Sequence, residues 1–228
     1  MNKSEDFWNK ASKNYDKTEK RFEYIHKKAR ENTKKHLKDS YIVMDYGCGT
    51  GTASCEFSSQ VKEIQGIDIS SEMIRIAKEK AVVSKIDNVH FEKADLFEDK
   101  FQNESFDVIL AFNMLHTVPN PQNVVYRIND LLKPDGIFIS VTPCLGQKMS
   151  FLVNLQIQLV RILCKFGVIP IPIRRIKSSD IDILLAKGEF EAIESEEIFK
   201  GASSYFVAAK KLQDRKSTRL NSSHTSIS

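Results

Sequence analysis

The sequence predicts an α/β domain with a doubly wound, seven-stranded, mostly parallel sheet that ends in an antiparallel hairpin. Two observations lead to this fold class. From Tyr41 onward, short apolar runs rich in β-branched residues alternate with helical patterns, which is the order of repeated strand–helix–strand units. Two final apolar runs, residues 190–199 and 204–209, predict the terminal hairpin.

Four of the predicted strands lead into a polar side chain. The strands are predicted at residues 41–44, 63–68, 89–93 and 106–113, and a fifth at 137–142 follows a turn at 133–136. The polar residues at or just after the first four are Asp45, Asp68, Asp95 and Asn113. Ligands of open parallel sheets bind beyond the carboxyl ends of the strands. We therefore expect these four side chains to face one crevice.

The loop after the first strand has a distinctive spacing. Gly47, Gly49 and Gly51 alternate with other residues, and Thr52 stands where the dinucleotide fingerprint has its third glycine. A carboxylate beside the loop, Asp45, would repel a pyrophosphate. It suits a cofactor that carries an ammonium group and a sulfonium, a description that fits S-adenosylmethionine.

Residues 43–51 resemble the first motif of the class I S-adenosylmethionine-dependent methyltransferases. Residues 68–73 resemble the second motif of that family, and residues 106–113 resemble its fourth. The resemblance implies a Rossmann-like fold and transfer of a methyl group to an oxygen, nitrogen or carbon atom of a small acceptor, which can be hydrophobic. The chain looks most like the small-molecule branch, which includes quinone-precursor and natural-product enzymes.

The resemblance also implies roles for individual residues. Asp45 would hold the methionyl ammonium, Asp68 the ribose hydroxyls and Asp95 the adenine amino group. The expected cofactor-binding residues are Asp45, Gly47, Cys48, Gly49, Gly51, Asp68, Ile69, Met73, Ala94, Asp95, Leu96 and Asn113. Both aspartates also have a purely structural interpretation. Asp68 could stabilise the start of the following helix, and Asp95 could stabilise a turn.

Two residues are candidates for a catalytic base. His116 follows the fourth strand, where a base could reach an acceptor, and its alternative is packing within a loop. Tyr15 belongs to the predicted N-terminal helices of residues 1–40, the second of which is expected at 19–38. The Phe7-Trp8, Ala11 and Tyr15-Asp16 pattern resembles the family's lid, and simple helix packing is the alternative.

Residues 41–213 would form the domain, with an insertion at about 146–177 that covers the substrate. Residues 150–166 are apolar except for a polar stripe at helical spacing: Asn154, Gln158, Arg161 and Lys165. These polar side chains argue against a membrane span. Three interpretations stay open for residues 150–173: a cap over a hydrophobic pocket, a weakly bound membrane-surface helix, and a packing or dimer surface.

Composition limits the remaining possibilities. The net charge is +4, and residues 214–228 contribute three basic residues and one acid, which leaves +2. This small charge gives no support for nucleic acid as a partner. Residues 214–228 resemble a translated sequencing adapter, with a native polar tail as the alternative. The four cysteines form no C-x-x-C pair, so we expect no metal site and a reducing, cytoplasmic location.

Two other functions compete with methyl transfer. A nicotinamide-dependent reductase would use a Tyr-x-x-x-Lys pair, and Tyr24 and Lys28 have that spacing on the predicted second helix. A non-catalytic module could keep the cofactor pocket without a reaction. The oligomeric state and the acceptor stay open.

Overall fold

A computed structural model describes residues 3–147 and 149–213 of the chain. The adapter-like residues 214–228 lie outside this range. Within it, seven strands form one sheet in the order β3-β2-β1-β4-β5-β7-β6. The strands are β1 Ile42–Tyr46, β2 Glu63–Asp68, β3 Val89–Lys93, β4 Phe106–Phe112, β5 Leu132–Pro143, β6 Phe190–Phe199 and β7 Ser203–Lys211.

The predicted fold class is confirmed. Strands β1 to β5 pair in parallel, and β7 enters antiparallel between β5 and β6. The order reverses at β1, which pairs with β2 on one side and β4 on the other, so a crevice is expected at the carboxyl end of β1. Val43 and Met44 of β1 are completely buried, as a central parallel strand requires.

The predicted start of the fifth strand is wrong. We expected a turn at residues 133–136, but β5 already begins at Leu132, which pairs with Phe106. The pairing register then shifts between Phe106 and Val108, and Asp135 has a positive φ of 64°. The turn-forming residues therefore produce a bulge inside the strand, because the ladder resumes on both sides of them.

Eight helices accompany the sheet in the described residues. They are α1 Lys3–Ala11, α2 Tyr15–Glu19, α3 Glu23–Lys34, α4 Thr52–Phe57, α5 Ser71–Val83, α6 Pro121–Leu131, α7 Phe151–Lys165 and α8 Ser178–Lys187. The helix expected at 19–38 is therefore shorter, because a 3₁₀ turn at Lys20–Phe22 separates α2 from α3. Ser70 caps α5 by accepting from the Met73 N–H, and Asn120 caps α6 in the same way.

The sheet has a core on each face. One core packs the α6 and α8 side around Phe138, and the other packs the α3, α4 and α5 side around Phe57 and Phe206. Helix α7 belongs to neither, since none of its residues is buried. Among the described residues, no helix is both long and apolar enough to cross a bilayer.

Candidate active site

The carboxyl ends of β1, β2 and β4 meet at one edge of the sheet. Asp45 lies near the end of β1, Asp68 ends β2, and Asn113 follows β4 directly. The register places Asp45 opposite Gly66 of β2 and Leu110 of β4. The strand-end residues picked out from the sequence are therefore neighbours in the fold.

The glycine loop is fixed to β2 by hydrogen bonds. The Gly47 and Cys48 N–H groups both donate to the Ile67 carbonyl oxygen, at 2.8 and 3.0 Å. Gly47, Gly49 and Gly51 have φ values of 73°, 54° and 75°. Most side chains are strained in this left-handed region, so the three glycines permit the tight turn after β1.

Gly51 differs from the other two glycines in its surroundings. A Cβ at Gly51 would lie 2.5 Å from Phe91 Cζ and 2.9 Å from Ala77 Cβ. The third glycine therefore permits close packing of the loop on β3 and α5. It shapes the loop but does not line the crevice.

Two cavities, of about 310 and 320 Å³, form one crevice beside the loop. They share Tyr15, Gly47, Phe112 and Asn113. The ring of Tyr15 lies against Gly49, where a Cβ would be 3.5 Å from the ring Cε1. We call the two halves the Asp45 chamber and the Asp68 chamber, after the acid that each contains.

The Asp45 chamber is lined by one group of the predicted site residues. Asp45, Gly47, Cys48 and Asn113 line it together with Tyr15. Its lining is otherwise polar and includes groups of both charges: Asp16, Glu19, Lys20, Glu23 and Arg30. The N-terminal helices therefore complete this half of the crevice.

The Asp68 chamber is lined by a second group of the predicted site residues. Its lining includes Gly47, Gly49, Asp68, Ile69, Met73, Asp95 and Asn113 from the predicted set. Apolar surface comes from Trp8, Met114, Val118, Pro119, Pro170 and Pro172. No lysine, arginine or histidine occurs among the described residues that line it. The lining of this chamber therefore combines carboxylates with apolar side chains.

Asp45 is fully buried. The Ser54 hydroxyl donates a hydrogen bond to its carboxylate at 2.5 Å. Burial raises the pKa of Asp45 from 3.8 to about 6, the Ser54 hydrogen bond lowers it, and the charge of Asp68 raises it further. A buried carboxylate with one neutral partner is poorly compensated, so a cation in this chamber would be attracted to it.

Asp68 accepts hydrogen bonds from two sides. Its carboxylate accepts from the Gly49 N–H at 3.1 Å and from the Ser70 N–H at 2.8 Å. Burial raises the pKa of Asp68, and these backbone hydrogen bonds lower it. The contact with Ser70 agrees with the helix-start alternative, and the position in the chamber agrees with ribose binding.

Asp95 and Asn113 complete the lining of the crevice. The Asp95 carboxylate accepts from the Phe97 N–H at 3.0 Å, as a turn aspartate does, yet the residue also lines the Asp68 chamber. Asn113 has a φ of 56° and donates its N–H to the Val141 carbonyl oxygen at 2.8 Å. Uncommon backbone angles of this kind cluster at functional sites.

Four predicted residues do not line either chamber. Ala94 and Leu96 are buried on either side of Asp95, and Gly51 packs against Phe91. His116 lies outside both linings, and burial lowers its pKa to about 4. Its Nδ1 is buried without a hydrogen bond in the described part of the chain. His116 is therefore neutral near pH 7.

Tyr15 is placed well but is a poor base. Burial raises the pKa of its hydroxyl, and the charge of Glu19 raises it further. The hydroxyl therefore stays protonated at neutral pH and can donate hydrogen bonds. The proposed base roles of Tyr15 and His116 stay predictions, and their protonation states give them little support.

Polar contacts that the sequence did not reveal hold the N-terminal helices over the loop. The Thr50 hydroxyl donates to Asp16 Oδ1 at 2.6 Å, and Lys80 pairs with Asp16 Oδ2 at 2.8 Å. Asn9 Oδ1 accepts from the Ser70 hydroxyl at 2.7 Å and from the Glu72 N–H at 3.2 Å. These contacts join residues far apart in the chain, so local patterns could not indicate them.

The residues required by the competing reductase lie elsewhere. Tyr24 is exposed on α3, and Lys28 pairs with Glu196 of β6. Neither residue lines the crevice. The Tyr-x-x-x-Lys spacing is therefore a coincidence of sequence.

Comparison with known proteins decides the family. Residues 37–169 match the family described as "Methyltransferase domain", and this range is more than half of the chain. The chain belongs to this methyltransferase family. Its fold and relatives place it in the class I S-adenosylmethionine-dependent group, so its cofactor is S-adenosylmethionine.

Individual relatives agree with this assignment. The methyltransferase is 32% identical over 109 residues to a ubiquinone biosynthesis O-methyltransferase of Pasteurella multocida, over 44% of this chain and 45% of that protein. The chain spans about half the length of the curated relatives that it matches first.

Solved structures show the same fold. The YcgJ protein of Bacillus subtilis has a TM-score of 0.68 at 17% identity, over 83% of this methyltransferase and 100% of that chain. The geranyl diphosphate C-methyltransferase of Streptomyces coelicolor, solved with S-adenosyl-L-homocysteine, has a TM-score of 0.67 at 12% identity, over 83% and 80% of the two chains. At these identities the likeness concerns the fold alone.

Proposed function

We propose that the protein transfers the methyl group of S-adenosylmethionine to an oxygen, nitrogen or carbon atom of a small apolar acceptor. The observation that carries this proposal is the crevice itself. Buried Asp45 lines one chamber and half-buried Asp68 lines the other, whose lining also includes apolar side chains. A cationic cofactor and an apolar acceptor would thus meet in one cavity.

The chemistry of the lining suits this cofactor. Asp45 would hold the methionyl ammonium, Asp68 the ribose hydroxyls and Asp95 the adenine amino group. Gly47 and Gly49 line the crevice, with Met114 against Gly47 and the Tyr15 ring against Gly49, while Gly51 keeps the loop packed on Phe91. A nicotinamide dinucleotide fits less well, because its pyrophosphate would face carboxylates without a basic side chain in the described lining of the Asp68 chamber.

The protein needs little acid–base chemistry for this reaction. The sulfonium of the bound cofactor supplies an activated methyl group. The residues of the crevice would align the acceptor with it and exclude water, and Tyr15 and Trp8 would cover the reacting atoms. Because His116 is neutral with a low pKa and Tyr15 stays protonated, we favour an acceptor that presents its own nucleophile.

The acceptor class follows from the apolar lining of the Asp68 chamber. Met114, Val118 and Pro119 come from the loop after β4, and Pro170 and Pro172 come from the segment after α7. A sequence relative is named for ubiquinone biosynthesis, and a protein of the same fold is named for geranyl diphosphate. The apolar lining of the chamber and the names of these two proteins together support a small hydrophobic substrate.

Two measurements test this function. Calorimetric titration with S-adenosylmethionine, S-adenosylhomocysteine and NADH should give binding of the first two only, and selective NADH binding would overturn the proposal. Incubation with methyl-labelled cofactor and a metabolite extract should label a small apolar product. Cofactor binding without any labelled product would instead favour the non-catalytic module.

A further inference from the structure

Helix α7 presents an apolar stripe to solvent. Six side chains form it, each between 52 and 79% exposed: Phe151, Leu152, Leu155, Leu159, Ile162 and Phe166. Their spacing of three and four residues puts them on one side of the helix. Such a contiguous apolar surface marks a contact with a protein or a membrane. We call it the α7 stripe.

The opposite side of the helix is also apolar. Val153, Ile157, Val160 and Cys164 are partly buried and face the body of the protein. The polar residues Asn154, Gln158, Arg161 and Lys165 follow one flank between the two apolar sides. A helix that is apolar on two sides favours an apolar environment on both of them, and the described residues cover only one side.

The segment around α7 carries uncompensated positive charge. Residues 136–179 contain six lysines and arginines and no aspartate or glutamate. Of these basic residues, the five at positions 161, 165, 174, 175 and 177 form no salt bridge within the described residues. By contrast, Arg30 and Lys34 of α3 both pair with Glu56. Because Arg174 and Arg175 donate to backbone carbonyl oxygens, Arg161 and Lys165 on the helix itself are the basic groups that we assign to an anionic partner.

A groove beside the stripe combines the same two properties. It has a volume of about 710 Å³ and is lined by Lys3, Arg161, Lys165 and the apolar residues 169–173. A lining of basic side chains together with isoleucines and prolines suits the junction of a lipid headgroup and its acyl chain.

We propose that the α7 stripe docks onto the surface of an anionic lipid bilayer. The stripe would enter the interface between headgroups and acyl chains, and Arg161 and Lys165 would contact anionic headgroups. A second copy of the chain is a poorer occupant. A two-fold interface would bring the same basic, acid-free segment together with itself.

Docking would also place the acceptor entrance at the lipid. Pro170 and Pro172, which follow α7 directly, line the Asp68 chamber. An apolar acceptor dissolved in the bilayer could then enter without crossing water. This consequence rests on the proposed function, whereas docking itself requires no methyl transfer.

Vesicle flotation tests the docking with the full chain. With vesicles of equal parts phosphatidylglycerol and phosphatidylcholine, we expect the wild type to float at low salt. Leu155→Gln/Leu159→Gln should reduce the bound fraction by roughly tenfold or more, because it interrupts the stripe. Arg161→Gln/Lys165→Gln should remove the preference for phosphatidylglycerol over pure phosphatidylcholine. Val82→Gln/Val83→Gln, in an exposed apolar pair on α5, is the matched control and should float like the wild type.

The outcomes separate the possible occupants. Wild type that stays in the bottom fraction, or a stripe variant that floats normally, overturns the proposal. A wild-type dimer that becomes a monomer in the stripe variant, with no flotation, would assign the stripe to a second copy. Thermal unfolding should be unchanged in the stripe variant, because α7 contributes nothing to the core. Calorimetry with S-adenosylmethionine reports separately on the proposed function.

Discussion

At the scale of single residues, Asp45 shows a conflict between stability and function. Its folded-state pKa of about 6 lies above its ordinary value of 3.8. The folded protein therefore holds this proton more tightly than the unfolded chain. The resulting stabilisation is present below the unfolded pKa and is lost as the pH rises through about 6. At pH 7 the cofactor-free protein thus keeps a costly buried charge, on the order of 3 kcal/mol.

The first prediction follows from this protonation. If Asp45 holds the methionyl ammonium, the affinity for S-adenosylmethionine should fall as the pH drops through about 6, where the carboxylate becomes neutral. Asp45→Asn should weaken binding at pH 7 by roughly 10- to 100-fold, as for loss of a charged hydrogen bond. Calorimetric titrations at several pH values measure both effects.

The same variant has a distinctive effect on stability. Asp45→Asn removes the buried charge and keeps an acceptor for the Ser54 hydroxyl. The cofactor-free variant should therefore unfold at the same or a higher urea concentration than the wild type at pH 7. Unchanged affinity, or a pH step that persists in Asp45→Asn, would remove Asp45 from the ammonium site.

The second prediction concerns Asp68. Asp68→Ala should weaken cofactor binding by ~1–3 kcal/mol, because the ribose hydroxyls would lose their acceptor. The loss of the contacts with Gly49 and Ser70 also predicts lower stability. Binding of adenosine and of free methionine should separate the two halves of the ligand: only adenosine should lose affinity. A variant that binds the cofactor normally would leave Asp68 with the helix-start role.

At the scale of elements, the N-terminal helices are attached to the domain through α5. Asn9 contacts the start of α5, and Asp16 pairs with Lys80 near its end. The Tyr15 ring covers Gly49 between these two attachments. We propose that helices α1 and α2 act as a lid over the crevice, which would open for a ligand to exchange.

The third prediction tests the attachment of this lid. Asp16→Asn should speed dissociation of the cofactor several-fold and make the first 20 residues more sensitive to trypsin, since the lid opens more often. The effect should be modest because the Asp16–Lys80 pair is partly exposed. Glu79→Gln breaks the exposed Arg75–Glu79 pair on the same helix and serves as the control. Equal rates in both variants would show that Asp16 does not hold the lid.

At the scale of the whole molecule, the last strand completes the core. Strand β7 lies between β5 and β6, and seven of its nine residues are buried. Phe206 is completely buried in the core on the α3 side, whereas Phe199 at the end of β6 is 53% exposed. These two phenylalanines of paired strands therefore differ strongly in burial.

The fourth prediction compares these two residues. Phe206→Ala should lower the free energy of unfolding by ~3–5 kcal/mol, because it leaves a cavity in a packed core. Phe199→Ala should change it by less than about 1 kcal/mol. Urea denaturation followed by tryptophan fluorescence and circular dichroism gives both values. A similar loss for both would contradict the placement of β7 in the sheet.

Residues with local chemistry were predicted well. Asp45, Asp68 and Asn113 were found from strand ends, and ten of the expected site residues do line the crevice. The burial of His116 could not be predicted, because it depends on packing that a loop sequence does not show. Gly51 was assigned to the ligand because its contact with Phe91 links residues forty positions apart.

The sequence by itself determined the fold class, the glycine loop and the acids at the strand ends, because backbone conformation and the alternation of strands with helices follow from short-range patterns. Only the tertiary structure decided which contacts hold Tyr15 over Gly49 and which side of α7 faces solvent. Both depend on the relative placement of distant segments. Apolar residues at helical spacing predict the helix, but its exposed side is set by what the rest of the chain packs against it.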